Sequence, residues 1–307
     1  MTMRKYINKV SWIAADWGTT HMRAWAMDEK NNILAYSESD KGMKYLQKNE
    51  FEPVLFRLIE SWLIDDREIP IITCGMVGAR QGWVETPYNE IPCLPINKNQ
   101  LTFVTTKDSR IKVALVRGVM QSDPPDIMRG EETQISGFLE SNSGFSGIIC
   151  LPGTHTKWVK INKGVIEDFT TFMTGELFGV ISLNTLLAHS INAEGWHQKS
   201  FEKGVEIGYK NPGSVASSLF SLRSKSIISN LNKDSSRAML SGILIGVELE
   251  GSQNYWIQNK ITLIGSGTLV KNYQNAIQSL GGKSEIFSVE KATIAGLVFA
   301  YKQFLDS

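Results

Sequence analysis

Apolar residues in the first half of the chain fall into short runs before they fall into helical stripes. Trp12 to Ala15 is a compact apolar run, His21 to Asp28 alternates in part, and Ile33 to Glu38 follows an Asn31-Asn32 turn. This pattern predicts three antiparallel strands. Phe51, Leu55, Leu58, Ile59 and Trp62 then recur at spacings of three and four, which predicts a helix over about 50–64. Pro70 to Cys74 reads as a buried strand running into Gly75, Gly78 and Gly82, and Ile111 to Val116 as another. Arg129 to Glu140 reads as a helix with Ile135, Phe138 and Leu139 on one side.

The second half repeats this order. Gly147 to Leu151, Lys157 to Ile161 and Val165 to Phe172 predict three strands, Leu177 to Leu187 an apolar helix, Ile261 to Ile264 a strand, and Leu269 to Leu280 a helix. Glu285 to Val289 and a helix over about 291–304 complete the unit. Residues 191 to about 250 are polar and Ser-rich, carry two expected helices, and read as an insertion. Asp16-Trp17-Gly18-Thr19-Thr20 opens the first unit and Leu151-Pro152-Gly153-Thr154-His155 the second, at an offset close to half the chain. The expected fold is α/β with two duplicated lobes, over residues 1–145 and 146–307, facing each other across a cleft where the strand-to-strand turns converge.

Composition narrows the class. The chain has 307 residues, 42% hydrophobic and 21% charged, values of an ordinary globular protein long enough for two domains. With 32 Lys and Arg against 31 Asp and Glu, bulk charge gives no reason to expect nucleic acid as a partner. Cys74, Cys93 and Cys150 are far apart and form no metal-ligand spacing, so a reducing compartment, the cytoplasm, is expected. The longest apolar candidate, Ala238 to Val247, is interrupted by Ser241, Gly242 and Gly246 and is too short to span a bilayer. Ile13 to Ala15 runs straight into Asp16, leaving no apolar core for a signal peptide, so no membrane partner is expected.

Three turns carry candidate chemistry. The Gly18-Thr19-Thr20 turn offers N–H groups and hydroxyls to phosphate oxygens, and Asp16 before it suits Mg²⁺ held through water. A plain β-turn explains the same residues. Gly153 and Thr154 supply a second such turn. Gly265-Ser266-Gly267-Thr268 connects a strand to a helix N-terminus, where glycines admit a base or a phosphate; a tight connection is the bland alternative.

In their order, these turns resemble the actin, Hsp70 and sugar-kinase ATPase superfamily, whose lobes are ribonuclease H-like. With Gly75-Met76-Val77-Gly78-Ala79-Arg80-Gln81-Gly82-Trp83, Met128-Arg129-Gly130-Glu131-Glu132-Thr133-Gln134 and the Pro152-to-Trp158 run, the chain is more closely similar to the 2-dehydro-3-deoxygalactonokinase family over residues 12 to 304. The resemblance implies ATP- and Mg²⁺-dependent phosphorylation of 2-dehydro-3-deoxy-D-galactonate to its 6-phosphate in galactonate breakdown. It implies phosphate contacts from Gly18, Thr19, Thr20, Gly153, Thr154 and His155, and an adenosine site at Gly265, Ser266, Gly267 and Thr268. Many members of the superfamily carry an Asp in the second turn where this chain has Leu151. Glu131, then Glu132, are therefore the expected carboxylates for the acceptor proton, with Asp168 and Glu176 behind them; helix-dipole complementation is the competing explanation for a Glu pair in a first turn.

The sugar acid calls for an Arg fork. Arg80 is the first choice, with Met76, Val77, Gly78 and Trp83 around it and Arg23 and Arg129 behind it. The competing activities are a phosphohydrolase of the same superfamily and an actin- or Hsp70-like nucleotide switch. A homo-oligomer is left open.

Overall fold

The computed structural model describes residues 9–97, 100–191 and 194–306. The chain opens with β1 (Trp12–Trp17), β2 (Met22–Met27) and β3 (Ile33–Ser39), the antiparallel meander that the apolar runs predict. Helix α1 (Phe51–Ile59) follows, burying Phe51, Val54, Leu55 and Ile59, the face set by its three-and-four spacing. Then come β4 (Ile69–Gly75), β5 (Tyr88–Glu90), β6 (Thr102–Val104), β7 (Ile111–Leu115), β8 (Gly118–Ser122), β9 (Pro125–Met128) and α2 (Glu131–Glu140). The main sheet runs β3-β2-β1-β4-β7-β6, with β4 parallel to β1 and β7 parallel to β4.

The second set is β10 (Gly147–Leu151), β11 (Thr156–Asn162), β12 (Val165–Phe172), α3 (Thr174–Asn184), α4 (Ala188–Ile191), α5 (Gln198–Lys210), α6 (Val215–Ile228), α7 (Lys233–Gly251), α8 (Gln253–Trp256), β13 (Lys260–Gly265), α9 (Gly267–Ser279), β14 (Lys283–Ser288) and α10 (Val289–Leu305). Its sheet runs β12-β11-β10-β13-β14. Strand for strand this is the order β3-β2-β1-β4-β7, with the same parallel pairing of first and fourth members. The duplicated α/β topology expected from the sequence is thus present in both sheets.

Two compact units result. One holds residues up to Phe145 together with 162–168 and 289–307; the other holds 146–161 and 169–288. The last helix therefore differs from its place in the sequence, which assigns it to the C-terminal lobe. Its reason is a backbone-to-backbone crossing with α2: a Cβ on Gly137 would collide with the Ala292 carbonyl, and one on Gly296 with the Thr133 carbonyl. Residues 162–168 join the first unit through the bridge between Cys93 and Ile166.

The segment read as a polar insertion holds three long helices, and α7 is central to the second unit. Twelve of its residues are buried, among them Ser235, Ser236, Gly242 and Gly246. Small residues that look polar in sequence are there because α5 lies against α7 at backbone contact: a Cβ on Gly204 or Gly242 would strike Met239 O or Phe201 O. Helix α7 also buries Glu248, which accepts from Trp158 Nε1 at 2.8 Å, from the Tyr273 hydroxyl at 2.7 Å and from the Thr174 hydroxyl. That carboxylate ties α7 to β11, α9 and α3. No helix of the described residues is long and apolar enough to cross a membrane.

Two outcomes follow from this packing. Gly296→Ala should lower stability in urea titration by at least ~1–3 kcal/mol, since neither backbone can yield. Gly179→Ala, in α3 with nothing within 4 Å of its absent Cβ, should instead raise it by ~0.4–1 kcal/mol. Equal effects would mean the α2–α10 crossing tolerates a methyl group.

Glu248 makes stability depend on pH. Burial raises its pKa from 4.5 to about 7, against the lowering effect of its hydrogen bonds. The folded value lies above the unfolded one, so this contribution is full below pH 4.5 and is lost as pH rises through about 7. Glu248→Gln, which cannot ionise, should melt below the wild type at pH 5, and the gap should narrow by pH 8.5. A constant gap in Tm would show that Glu248 ionises in the folded protein as it does in the unfolded chain.

Candidate active site

In the first unit the carboxyl ends of β1 and β4 meet the start of α2. Register places Asp16 opposite Arg23 on β2 and beside Cys74 on β4. Arg23 Nη2 donates to Asp16 Oδ2 at 2.5 Å, and the Cys74 thiol approaches Oδ1 at 3.8 Å. Asp16 keeps 17% of its side chain exposed. Gly75 has φ +93°, and a Cβ there would lie 2.7 Å from the Trp17 carbonyl, so only glycine lets β4 end against β1. Gly130, with φ +108°, comes next to Gly75 and starts α2.

The two glutamates of that helix start differ sharply. Glu132 is fully buried, accepts from the Gly130 N–H at 2.6 Å and from the Thr133 hydroxyl at 3.1 Å, and burial beside Glu131 pushes its pKa up to about 8. Glu131 is half-buried and accepts from the Arg129 N–H at 3.1 Å. Burial, reinforced by Asp16 and Glu132, holds the Cys74 thiol well above its ordinary value, so it is a neutral spacer between two acids rather than a nucleophile.

The Gly18-Thr19-Thr20 turn is fixed from below. Gly42, Met43 and Lys44 donate their N–H groups to Thr20 O, Gly18 O and Thr19 O at 3.0–3.1 Å, and Trp17 Nε1 donates to Lys41 O at 3.0 Å. With the carbonyls of the turn engaged, its hydroxyl-bearing outer side faces solvent, Thr19 most of all. Gly42 has no room for a Cβ against Thr20. In the second unit Gly175 has the same relation to Gly153, and Glu176 N–H donates to Thr154 O at 2.9 Å. His155 pairs with Glu176, so both are engaged with each other beside the turn. Neither supporting glycine stands out in sequence, although each directly follows the third strand of its meander.

The substrate-loop residues separate by burial. Val77 and Gly78 are buried, Met76 is half-buried and Arg80 is exposed. Trp83 is buried in the core, its ring against Phe51 and Trp17, and its N–H donates to Val77 O at 2.8 Å. Arg129 is buried, donates to the Thr86 hydroxyl and carbonyl, and lies over the Tyr88 ring at 4.2 Å.

A cavity of about 550 Å³ lies within the second unit. Gly153 and Thr154 line it, with Thr174, Gly175 and Phe178 of α3, Glu194 to Trp196, Arg237, Ser241, Leu244 and Ile245 of α7, and Thr268, Leu269, Asn272 and Tyr273 of α9. The second turn and Thr268, far apart in sequence, thus share one cavity. Gly265 is buried against Val270, while Ser266 and Gly267 are exposed at the α9 start. The α3 and α7 walls have no counterpart in the sequence-derived site: α3 reads there only as an apolar helix, and α7 lies in the segment read as an insertion. Among the described residues no group of three His, Cys, Asp or Glu is arranged to hold a metal ion.

Comparison with known proteins agrees with this architecture. The model of the 2-keto-3-deoxy-galactonokinase family matches residues 16–300. A Rhizobium meliloti (strain 1021) protein named "Probable 2-dehydro-3-deoxygalactonokinase DgoK1" is 36% identical over 291 residues, covering 92% of this chain and 94% of that one. The Escherichia coli (strain K12) 2-dehydro-3-deoxygalactonokinase is 31% identical over 290 residues, covering 93% and 96%. A solved structure of a Sinorhizobium meliloti protein described as a "putative 2-dehydro-3-deoxygalactonokinase protein" superposes with a TM-score of 0.88 at 35% identity, over 95% of this chain and 99% of that one. With a family model spanning nearly all of its length and two curated relatives above 30% identity, the chain belongs to the 2-keto-3-deoxy-galactonokinase family.

Proposed function

We propose that this chain transfers the terminal phosphoryl group of ATP to the 6-hydroxyl of 2-dehydro-3-deoxy-D-galactonate. The observation that carries this reading is the family match over residues 16–300. The cavity in the second unit supports it, since a phosphate-type turn, a helix N-terminus and apolar walls are what a nucleotide needs. Phosphohydrolase and nucleotide-switch readings are not favoured by relatives named as kinases.

Glu131 is the proposed proton acceptor. Glu132 is enclosed and tends to stay protonated at neutral pH, whereas Glu131 is half-buried and oriented by the Arg129 N–H. As the acceptor oxygen bonds to phosphorus, its proton passes to the Glu131 carboxylate, and ADP departs with the electron pair of the broken P–O bond. Gly18, Thr19 and Thr20, and Gly153 with Thr154, are the proposed phosphate donors, with His155 beside the second turn.

Mg²⁺ binds mainly phosphate oxygens and water in such enzymes, so a three-ligand protein cage is not required. Asp16 fits an outer-sphere role: Arg23 takes Oδ2, while Oδ1 has only a long thiol contact and the side chain is partly exposed. When bound, the ion neutralises charge that develops on the phosphates. Arg80 is the proposed clamp for the acceptor carboxylate, because Arg23 is spent on Asp16 and Arg129 on Thr86. Buried Val77, Gly78 and Trp83 shape the loop from beneath, and Met76 lies half-buried beside them.

ADP release, followed by a coupled assay over 2-keto-3-deoxy aldonic acids, should require the acceptor; equal release without it would overturn the kinase reading. Glu131→Gln should lower kcat by ~10²–10⁴ with both KM values little changed, and Glu132→Gln should be milder in turnover. The reverse order would make Glu132 the base. Arg80→Lys should raise the acceptor KM and leave the ATP KM alone, because charge survives but the planar fork does not. A rise in the ATP KM instead would move Arg80 to the phosphates.

A further inference from the structure

Helix α7 turns Arg237, Ser241, Leu244 and Ile245 into one wall of the cavity, at spacings that fall on a single helical face. Farther along that helix, Glu248 accepts the Thr174 hydroxyl, and Thr174 is joined to Gly175, the glycine seated on the Gly153 turn. The Glu248 end of α7 therefore marks the phosphate-turn end of the cavity. Arg237 stands eleven residues earlier, about 16 Å along the helix axis. Its guanidinium leans onto the Phe178 ring, with Cζ 5.1 Å from the centroid. Among the described residues it has neither an ion pair nor a hydrogen bond, although it is half-buried.

A half-buried guanidinium with one flat face on an aromatic ring has a second flat face to offer. The Arg237 backbone lies toward the far end of the cavity wall and its guanidinium rests on Phe178, three residues along α3 from Gly175, a position from which it faces the flat part of a nucleotide whose phosphates sit at the turn. Lining the same cavity are Leu244 and Leu269, which suit a ring, and Asn272 and Ser241, which suit hydrogen bonds to ring-edge nitrogens. We infer that Arg237 is the base-stacking residue of the nucleotide site, lying on a purine base held between α7 and α9. This rests on the kinase reading above and adds the residue that stacks on the base.

The test uses the full chain and titrates adenosine and ADP, read by protection against thermal unfolding and by calorimetry. Arg237→Met keeps the stem that packs on Phe178 and removes the flat cation; Arg237→Lys keeps charge without the plane. Both variants should weaken adenosine and ADP by the same factor, ~2- to 30-fold, with an unchanged acceptor KM. Loss of ADP affinity with adenosine unaffected would put Arg237 on a phosphate and overturn the assignment. So would full rescue by lysine, or unchanged affinity in both variants. A wild-type chain that binds no nucleotide would remove the kinase reading and this assignment together, whereas normal wild-type binding with an indifferent Arg237→Met removes this assignment alone. The melting temperature of each unliganded variant identifies a misfolded one, and the second substitution then decides.

Discussion

Backbone lying directly on backbone, with no side chain between, is the constraint on which this structure depends. The Gly18 turn is held because Gly42 has no Cβ to collide with Thr20, and the Gly153 turn because Gly175 has none to collide with Gly153 itself. A methyl group at either place would lift the turn off its support and spoil the direction of the N–H groups it carries. The same device joins α5 to α7 and α2 to α10. Both units thus reach interior density with glycine at their tightest points, and the elements that bear chemistry inherit rigidity from contacts that cannot slide without collision.

That device explains what could and could not be read from the sequence. The strand meanders and the α1 stripe were visible because large apolar residues repeat at the period of the element. The central place of α7 is not legible, since its buried Met239, Leu240, Ile243, Leu244, Ile245 and Leu249 are interleaved with Ser235, Ser236, Gly242 and Gly246 in a segment that reads as a polar insertion. Helix α10 was recognisable as a helix, but nothing in chain order reveals that Gly296 seats it on α2. At the site, Asp16, Gly18 and Gly153 were found as residues before strand-ending turns. Phe178, Arg237 and Asn272 of the cavity wall are not legible in sequence because they converge only after three separate helices pack. The Glu131-Glu132 pair was found as a pair; which member is enclosed depends on where α2 begins relative to β4, a tertiary fact.

Electrostatics follows the same division between scaffold and site. Glu132 and Glu248 are fully buried carboxylates with raised pKa values, and each is surrounded by donors rather than by a cation in direct contact. Burying a charge this way costs stability whenever it is ionised. What the residue supplies in exchange is direction: Glu248 aims the Thr174 and Tyr273 side chains that form part of the cavity wall, and Glu132 caps the helix start from which Glu131 projects. An apolar residue of similar volume would pack without that penalty and would leave those hydroxyls and N–H groups unpaired.

The two meanders differ in charge at corresponding strand ends. In the first, the strand end carries Asp16 and its register partner is Arg23, so the pair is close to neutral and one carboxylate oxygen is already spoken for. In the second, the corresponding strand end is Leu151, whose register partner is Lys157, with the ammonium 3.3 Å from the His155 carbonyl. Leucine in place of an acid, with a cation opposite, leaves the second strand end without a carboxylate of its own, although Glu176 stands beside the turn in its pair with His155. An acid at position 151 would instead add a negative charge beside the second turn, where Glu176 already stands, and would repel an anion held there. Leucine at position 151 therefore has a physical consequence independent of which carboxylate serves as base: that strand end carries no group able to take a proton and adds no repulsion against an anion at its turn.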